Sequence, residues 1–190
     1  MGDLITERLA VSEHEPGDLE ALHSLLSDPV AMRYLPELRT SSLEESRDNL
    51  GTALAEQGVV DRTKYFFKIL LLDGTYLGEI GITVTGTSPE GRVVNLGYFL
   101  KPEAWGKGYT TEAARAVAAH AFGRLGVDRI ESGCLAENSA SERVLARLGM
   151  TRVAVLSRHT LHEGLWKDRV EYHLTKQEWG RLDGSFSSVR

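Results

Sequence analysis

The stretch Leu96–Glu112 reads L-G-Y-F-L-K-P-E-A-W-G-K-G-Y-T-T-E, and it decides the fold because it runs from an apolar strand through a glycine-rich turn into a helix. Gly106 and Gly108 let the backbone turn tightly and come close to a ligand. The helix that begins near Thr110 points its free N–H groups and its positive dipole end at the same place. The stretch therefore predicts an anion site, with an ordinary strand-to-helix turn as the alternative.

Two common phosphate-binding motifs are excluded by single residues. A Walker A loop needs Ser or Thr after its lysine to hold Mg²⁺, whereas Lys107 is followed by Gly108. A Rossmann fingerprint needs a third glycine where this chain has Thr111, and an acidic residue after the next strand. The remaining interpretation is a diphosphate that main-chain amides hold without a metal.

Two motifs in order resemble the GNAT N-acetyltransferase superfamily. The string A-W-G-K-G-Y-T-T-E-A (Ala104–Ala113) is similar to its acetyl-CoA loop, and E-N-S-A-S-E-R-V-L-A-R-L-G-M (Glu137–Met150) resembles its Asn-x-x-Ser-x-x-hydrophobic-Leu helix. The ending Gly164–Trp179 and the opening T-E-R-L-A-V (Thr6–Val11) are similar to the RimJ/RimL branch, the ribosomal-protein N-terminal acetyltransferases and their relatives. The likeness covers nearly the whole chain.

The resemblance implies an α/β (α+β) GNAT fold, with a central mixed, mostly antiparallel, splayed sheet of about seven strands flanked by helices. We expect a single domain over residues 1–182 and a disordered tail over 183–190. Hydrophobic periodicity and turn residues predict helices over 18–27, 43–57, 110–125 and 139–148, and strands over 6–12, 65–72, 76–84, 93–100, 129–135, 151–159 and 169–174.

Composition narrows the compartment and the partners. The 190 residues include a single cysteine, Cys134, so we expect no internal disulfide, no metal site and a reducing cytoplasm. No segment approaches membrane-spanning length. The formal net charge of −5 argues against nonspecific nucleic-acid binding and favours cationic substrates. The expected partner is an amine acceptor, with a homodimer as one assembly compatible with the sequence.

The resemblance also assigns roles around acetyl-CoA. It implies that backbone N–H groups cradle the pyrophosphate at Gly106, Lys107, Gly108, Tyr109 and Thr110. It implies that the main chain of Phe99 and Leu100 pairs with the pantetheine arm, in a strand where Gly97 indicates either a bulge or close packing.

Two residues near the second motif have a functional and a structural interpretation. The resemblance implies that Asn138 hydrogen-bonds the CoA arm, although Asn138 or Ser139 can equally cap the following helix. It implies that Ser141 donates a proton to the departing CoA thiolate, the alternative being an exposed helical serine without a role.

The general base is not apparent from the family pattern. Relatives often carry glutamate where this chain has Asn95, which cannot take a proton. A second departure concerns cofactor affinity rather than the base: relatives usually carry Gln or Arg where this chain has Glu103. The remaining carboxylate is Glu79, which alternates away from Ile80 and Ile82 and so faces either the cleft or solvent. Glu79 is therefore our candidate base, acting directly or through water.

The sequence thus predicts acetyl transfer from acetyl-CoA to a primary amine, either a protein N-terminal α-amine or a small-molecule amine, by direct attack in a ternary complex. Because Glu103 and Asn95 depart from the family pattern, the alternative is a CoA-binding or interaction module with little turnover. A nucleotide-dependent kinase is a weaker third hypothesis, because it needs the metal-binding hydroxyl that is missing after Lys107.

Overall fold

The computed structural model describes residues 2–186, and of residues 183–186 only the backbone. Eight strands and five α-helices follow one another within these residues. Their order is β1 (Leu4–Ile5), β2 (Leu9–Glu13), α1 (Leu19–Leu26), α2 (Leu43–Gln57), β3 (Lys64–Leu71), β4 (Tyr76–Ser88), β5 (Gly91–Leu100), α3 (Tyr109–Arg124), β6 (Val127–Leu135), α4 (Ser139–Leu148), β7 (Thr151–His162), β8 (Leu165–Thr175) and α5 (Lys176–Phe186).

The strands form one mixed sheet in the order β1-β2-β3-β4-β5-β6-β8-β7. β5 and β6 run parallel, as strands joined by a crossover helix must, whereas β2 with β3, β3 with β4, and β6 with β8 are antiparallel. The predicted α+β class with a mostly antiparallel mixed sheet is confirmed. The sheet has one strand more than the seven or so expected.

The additional strand arises at the N-terminus. A single strand was predicted over 6–12, but the chain turns there, and the N–H of Thr6 donates to the carbonyl of Leu9 at 2.9 Å. Leu4 then pairs with Val11 across the turn, which makes β1 and β2 a hairpin. Helix α5 extends to Phe186 and so includes the first part of the predicted tail, whereas residues 187–190 lie outside the described residues.

The chain divides into two compact units. The first contains the residues up to Thr83 together with Gly97–Val117. Its helices α1 and α2 bury an apolar cluster against which Tyr76 and Phe99 pack, and α2 also contacts β3. The buried members of this cluster are Leu22, Leu25, Leu26, Met32 and Leu50. Two polar side chains of the neighbouring strands, Lys68 of β3 and Glu79 of β4, are also buried in this unit.

The second unit contains Val84–Leu96 and the residues from Ala118 onward. In it, the hydroxyl of Ser132 on β6 donates to the carbonyl of Leu96 on β5 at 2.8 Å. Helix α4 ends at Gly149, whose φ of +90° provides the left-handed C-cap that glycine adopts without a steric penalty. The single-domain prediction for 1–182 stays a prediction. No helix within residues 2–186 is both long and apolar enough to span a membrane.

Candidate active site

The predicted anion loop lies between β5 and α3. After β5 ends at Leu100, the indole N–H of Trp105 donates back to the Leu100 carbonyl at 2.8 Å and closes the turn. Gly106 and Gly108 have φ values of +74° and +82°, a region where other residues are strained. Among the loop hydrogen bonds of the described residues, none is donated by the amides from Gly106 to Gly108. These amides immediately precede the N-terminus of α3. Their N–H groups are the hydrogen-bond donors that bind an anion at a helix N-terminus.

A polar cluster holds the first turn of α3 against the N-terminal hairpin. The Glu112 carboxylate accepts hydrogen bonds from the Thr6 hydroxyl at 2.6 Å, the Arg8 N–H at 2.9 Å and the Arg8 Nε at 2.7 Å. Arg8 also donates to the Lys107 carbonyl at 3.1 Å, and its guanidinium lies 4.7 Å from the ring centroid of Tyr109. Partial burial opposes ionisation, but the bonds from Thr6 and Arg8 outweigh it and lower the pKa of Glu112. No local pattern in the sequence indicates this cluster.

Glu79 is buried. Of the two positions predicted for its side chain, facing the cleft or facing solvent, the structure therefore excludes solvent. Glu79 lies on β4 opposite Lys68 of β3, and its exposed fraction is 6%. His14 Nε2 donates to one carboxylate oxygen at 2.7 Å, and the Tyr76 hydroxyl donates to the other. Both oxygens are therefore engaged within the protein.

An ion-pair contact and two hydrogen bonds link His14 through Asp18 to Lys68. His14 Nδ1 lies 3.5 Å from Asp18 Oδ2, and Lys68 Nζ donates to both Asp18 oxygens at 2.8 and 2.9 Å. His14 and Lys68 are each buried, with 4% and 7% exposed. We call the five residues His14, Asp18, Lys68, Tyr76 and Glu79 the buried polar cluster.

Burial and mutual contacts change the acidities within the buried polar cluster. Burial raises the pKa of Glu79, although hydrogen bonds from His14 and Tyr76 act in the opposite direction. Burial disfavours charge on His14, but the carboxylates of Glu79 and Asp18 outweigh it and raise the pKa of His14. Burial and the adjacent Glu79 carboxylate raise the pKa of Tyr76. Glu79, His14 and Tyr76 therefore each retain a proton more strongly than the same groups do in water.

The end of β5 approaches β4 closely at Gly78. A Cβ built on Gly78 would lie 2.6 Å from the Leu100 Cα and would overlap the Phe99 carbonyl oxygen. Only glycine permits this approach, which brings the main chain of Phe99 and Leu100 next to the strand that carries Glu79. At Gly97, by contrast, a Cβ would have no heavy atom within 4 Å, so close packing does not explain that glycine.

In the second unit, Asn138 caps α4. Its side-chain oxygen accepts the N–H of Ser141 at 3.1 Å, so the structural alternative for Asn138 is confirmed, and it remains compatible with a role toward CoA. Ser141 is half-buried and hydrogen-bonds the thiol of Cys134. Burial raises the pKa of Cys134, and the Ser141 bond opposes this increase.

A separate cavity of about 240 Å³ surrounds Asn95. It is lined by side chains of β5, β6, β7 and β8, namely Asn95, Glu131, Val153, Glu171, Tyr172 and His173. Asn95 and Glu131 are register partners on the parallel strands, and Glu131 and His173 are partners on the next pair. Each carboxylate lies beside an arginine two residues away on its own strand, at 3.0 Å for Arg129–Glu131 and 2.5 Å for Arg169–Glu171. The cavity thus has carboxylates that the sequence patterns did not single out.

Within residues 2–186, no three His, Cys, Asp or Glu side chains are grouped to hold a metal.

Comparison with known proteins identifies the family. The profile of the acetyltransferase (GNAT) domain matches residues 8–151, and the chain belongs to this family. It is 27% identical over 176 residues to the uncharacterized N-acetyltransferase YnaD of Bacillus subtilis, which covers 93% of this chain and 98% of that relative.

Solved structures share the fold over nearly the whole chain. One is RimL, a ribosomal L7/L12 alpha-N-protein acetyltransferase in complex with coenzyme A, with a TM-score of 0.78 and 21% identity over 91% of this chain and 97% of that one. Another is spermidine N-acetyltransferase from Vibrio cholerae in complex with CoA and spermine, with a TM-score of 0.78 and 17% identity over 92% and 99%. The protein is thus an N-acetyltransferase of the GNAT family, which uses acetyl-CoA.

Proposed function

We propose that the protein transfers the acetyl group of acetyl-CoA to a primary amine, which attacks the thioester directly in a ternary complex. The observation that carries the proposal is the loop from Gly106 to Gly108. Its amides make no loop hydrogen bond among the described residues, its glycines adopt left-handed φ values, and it leads into the N-terminus of α3. A diphosphate satisfies these amides and interacts favourably with the helix dipole.

The cofactor contacts follow from the resemblance and from the loop. The backbone of Gly106, Lys107, Gly108, Tyr109 and Thr110 binds the pyrophosphate, and no metal takes part. The main chain of Phe99 and Leu100 pairs with the pantetheine arm and polarises the thioester carbonyl. In the second unit, Asn138 has the role of a CoA ligand, and Ser141, whose hydroxyl hydrogen-bonds Cys134, has that of a proton donor to the thiolate.

Glu79 is the proposed base. Its burial next to Gly78 and the Phe99–Leu100 main chain supports this role, since a desolvated carboxylate with a raised pKa is a stronger proton acceptor than an exposed one. Proton transfer passes through Tyr76 or a water, because both Glu79 oxygens are engaged by protein donors. Glu131, beside Asn95 in the cavity, is the competing carboxylate.

The acceptor is a cationic or neutral amine rather than an acidic molecule. A formal net charge of −5 and the two glutamates of the cavity favour amines over anionic acceptors. Structural relatives act on a ribosomal protein N-terminus and on spermidine, so peptide N-termini and polyamines are the first two acceptor sets to compare.

Calorimetric titration of the purified protein with acetyl-CoA, and separately with ATP and Mg²⁺, tests the cofactor. We expect micromolar binding of acetyl-CoA and none of Mg²⁺-ATP. Release of CoA thiol is then followed with short peptides carrying a free α-amine, with the same peptides blocked at the N-terminus, and with spermidine. Binding without CoA release from any amine would favour the alternative of a CoA-binding module, and no binding would refute the cofactor assignment.

A further inference from the structure

The loop proposed to bind the pyrophosphate, residues 106–110, and the first turn of α3 contact a segment about a hundred residues earlier in the sequence. Arg8 follows β1 and precedes β2, and its guanidinium simultaneously contacts the Glu112 carboxylate, the Lys107 carbonyl and the face of Tyr109. A Cβ on Gly108 would lie only 3.5 Å from an Arg8 nitrogen, so Arg8 lies directly along the loop. We call Thr6, Arg8 and Glu112 the loop clasp.

The loop clasp fixes the direction of a peptide group in the loop. Arg8 binds the Lys107 carbonyl at 3.1 Å, and the Gly108 carbonyl accepts the N–H of Glu112 at 3.1 Å. When these two carbonyls are held, the peptide planes that they share with the amides of Gly108 and Tyr109 cannot rotate independently. Glycines at 106 and 108 would otherwise give the loop wide conformational freedom, and that freedom costs free energy when a ligand orders it.

The charges of the clasp largely compensate one another. Glu112 carries a negative charge in the first helical turn, where its pKa is lowered by Thr6 and Arg8 despite partial burial. Arg8 neutralises this charge with two nitrogens within 2.7 Å of Glu112 Oε2, at a position where an unpaired carboxylate would repel a diphosphate. The planar guanidinium can contact the carboxylate, the carbonyl and the ring together, which a lysine ammonium cannot.

We infer that Arg8 is a positioning residue for the diphosphate of acetyl-CoA, acting through the Lys107 carbonyl and Glu112 to preorganise the amides of the loop. This inference rests on the proposed function, because it assigns the loop to the cofactor diphosphate. It also gives a reason for the T-E-R segment at the start of the chain, where threonine and arginine each contact the same glutamate.

The test compares two acetyl donors that differ in the diphosphate. Arg8→Gln should raise the Kd for acetyl-CoA at least tenfold, while kcat/KM with S-acetylpantetheine, which lacks the diphosphate, stays within twofold of wild type. Arg8→Lys should recover less than half of the lost affinity, because it restores the positive charge but not the planar guanidinium that bonds the carboxylate and the carbonyl together. Arg33→Gln is the matched control, since Arg33 is also an exposed arginine stacked on a tyrosine, 4.4 Å from the Tyr34 ring. This variant should change neither the Kd for acetyl-CoA nor kcat/KM with S-acetylpantetheine.

The outcomes separate the inference from the proposed function. An unchanged Kd for acetyl-CoA in Arg8→Gln, an equal loss with both donors, or full rescue by Arg8→Lys would each overturn a positioning role. Glu112→Gln provides a second variant and should show the same selectivity for the donor with a diphosphate. If wild-type protein fails to bind acetyl-CoA at all, the proposed function fails instead.

Discussion

Removal of His14 should expose how strongly the buried polar cluster depends on its central pair. The side chains of His14 and Glu79 are only 2% and 8% exposed, and the bond between them is 2.7 Å long. His14→Leu keeps a similar volume but leaves the Glu79 carboxylate with Tyr76 alone. Because loss of one partner from a buried pair costs about 3–5 kcal/mol, we expect the free energy of unfolding at pH 7 to fall by about that amount.

The pH dependence of this effect has a defined sign. The pKa of His14 lies above its ordinary value of 6.5 in the folded protein, so its contribution is fully present below pH 6.5 and is lost as pH rises through the folded pKa. Glu79 also has a raised pKa, and it too favours folding most where it is protonated. The difference in stability between wild type and His14→Leu should therefore become smaller as the pH is raised above 6.5 through the folded pKa of His14.

Urea denaturation followed by tryptophan fluorescence at several pH values measures both effects, since the chain has three tryptophans. The double variant His14→Leu/Glu79→Gln should be more stable than His14→Leu by about 1–3 kcal/mol, because no unpaired carboxylate is then buried. A cost for His14→Leu below about 1 kcal/mol, as for an exposed ion pair, would refute the argument, as would a cost that is the same at every pH.

Three further changes test the site. In steady-state kinetics, Glu79→Gln should lower kcat about 100-fold with little change in acetyl-CoA affinity, whereas Glu131→Gln should leave kcat near the wild-type value. Equal losses of kcat in the two variants would exclude Glu79 as the base. A wild-type rate for Glu79→Gln across the pH range would exclude it too. Gly108→Val should abolish calorimetric binding of acetyl-CoA, since its φ is +82°, and retained affinity would mean that the loop has another role. Gly78→Ala should cost about 3 kcal/mol or more in urea denaturation, because the clash is with backbone, while Gly97→Ala should be nearly neutral; similar losses would contradict the close approach at Gly78.

The sequence predicted the local elements well. Helices α2 and α4 begin and end where their caps and periodicity indicate, since Ser42 and Asn138 each accept an N–H of the first turn. The glycine loop is also a local feature, because Gly106 and Gly108 determine its conformation within a few residues. Such features depend on neighbours in the chain, which the sequence displays directly.

The contacts that define the candidate site are long-range and were not predictable in the same way. The alternation along β4 separated Glu79 from Ile80 and Ile82 but left both the cleft and solvent open for it. Because both faces of the strand are buried there, the fold excludes solvent, which alternation alone could not do. The partner of Glu79, His14, is 65 residues away, and Arg8 is 104 residues from Glu112. Only the strand order, which places β2, β3 and β4 side by side, brings His14 and Glu79 together.

The buried polar cluster also bears on the choice of acceptor. A lysine-like amine must lose a proton at a cost of about 4–5 kcal/mol at pH 7, whereas an α-amine with a pKa near 8 loses it for about 1 kcal/mol. Glu79 is bonded through one oxygen to His14 and through the other to Tyr76, so neither oxygen is open to an incoming amine. Proton transfer that must pass through Tyr76 or a water is of most use where the amine needs little deprotonation. Of the two acceptor classes that the structural relatives represent, we therefore expect the α-amine of a peptide to release CoA thiol faster than a polyamine.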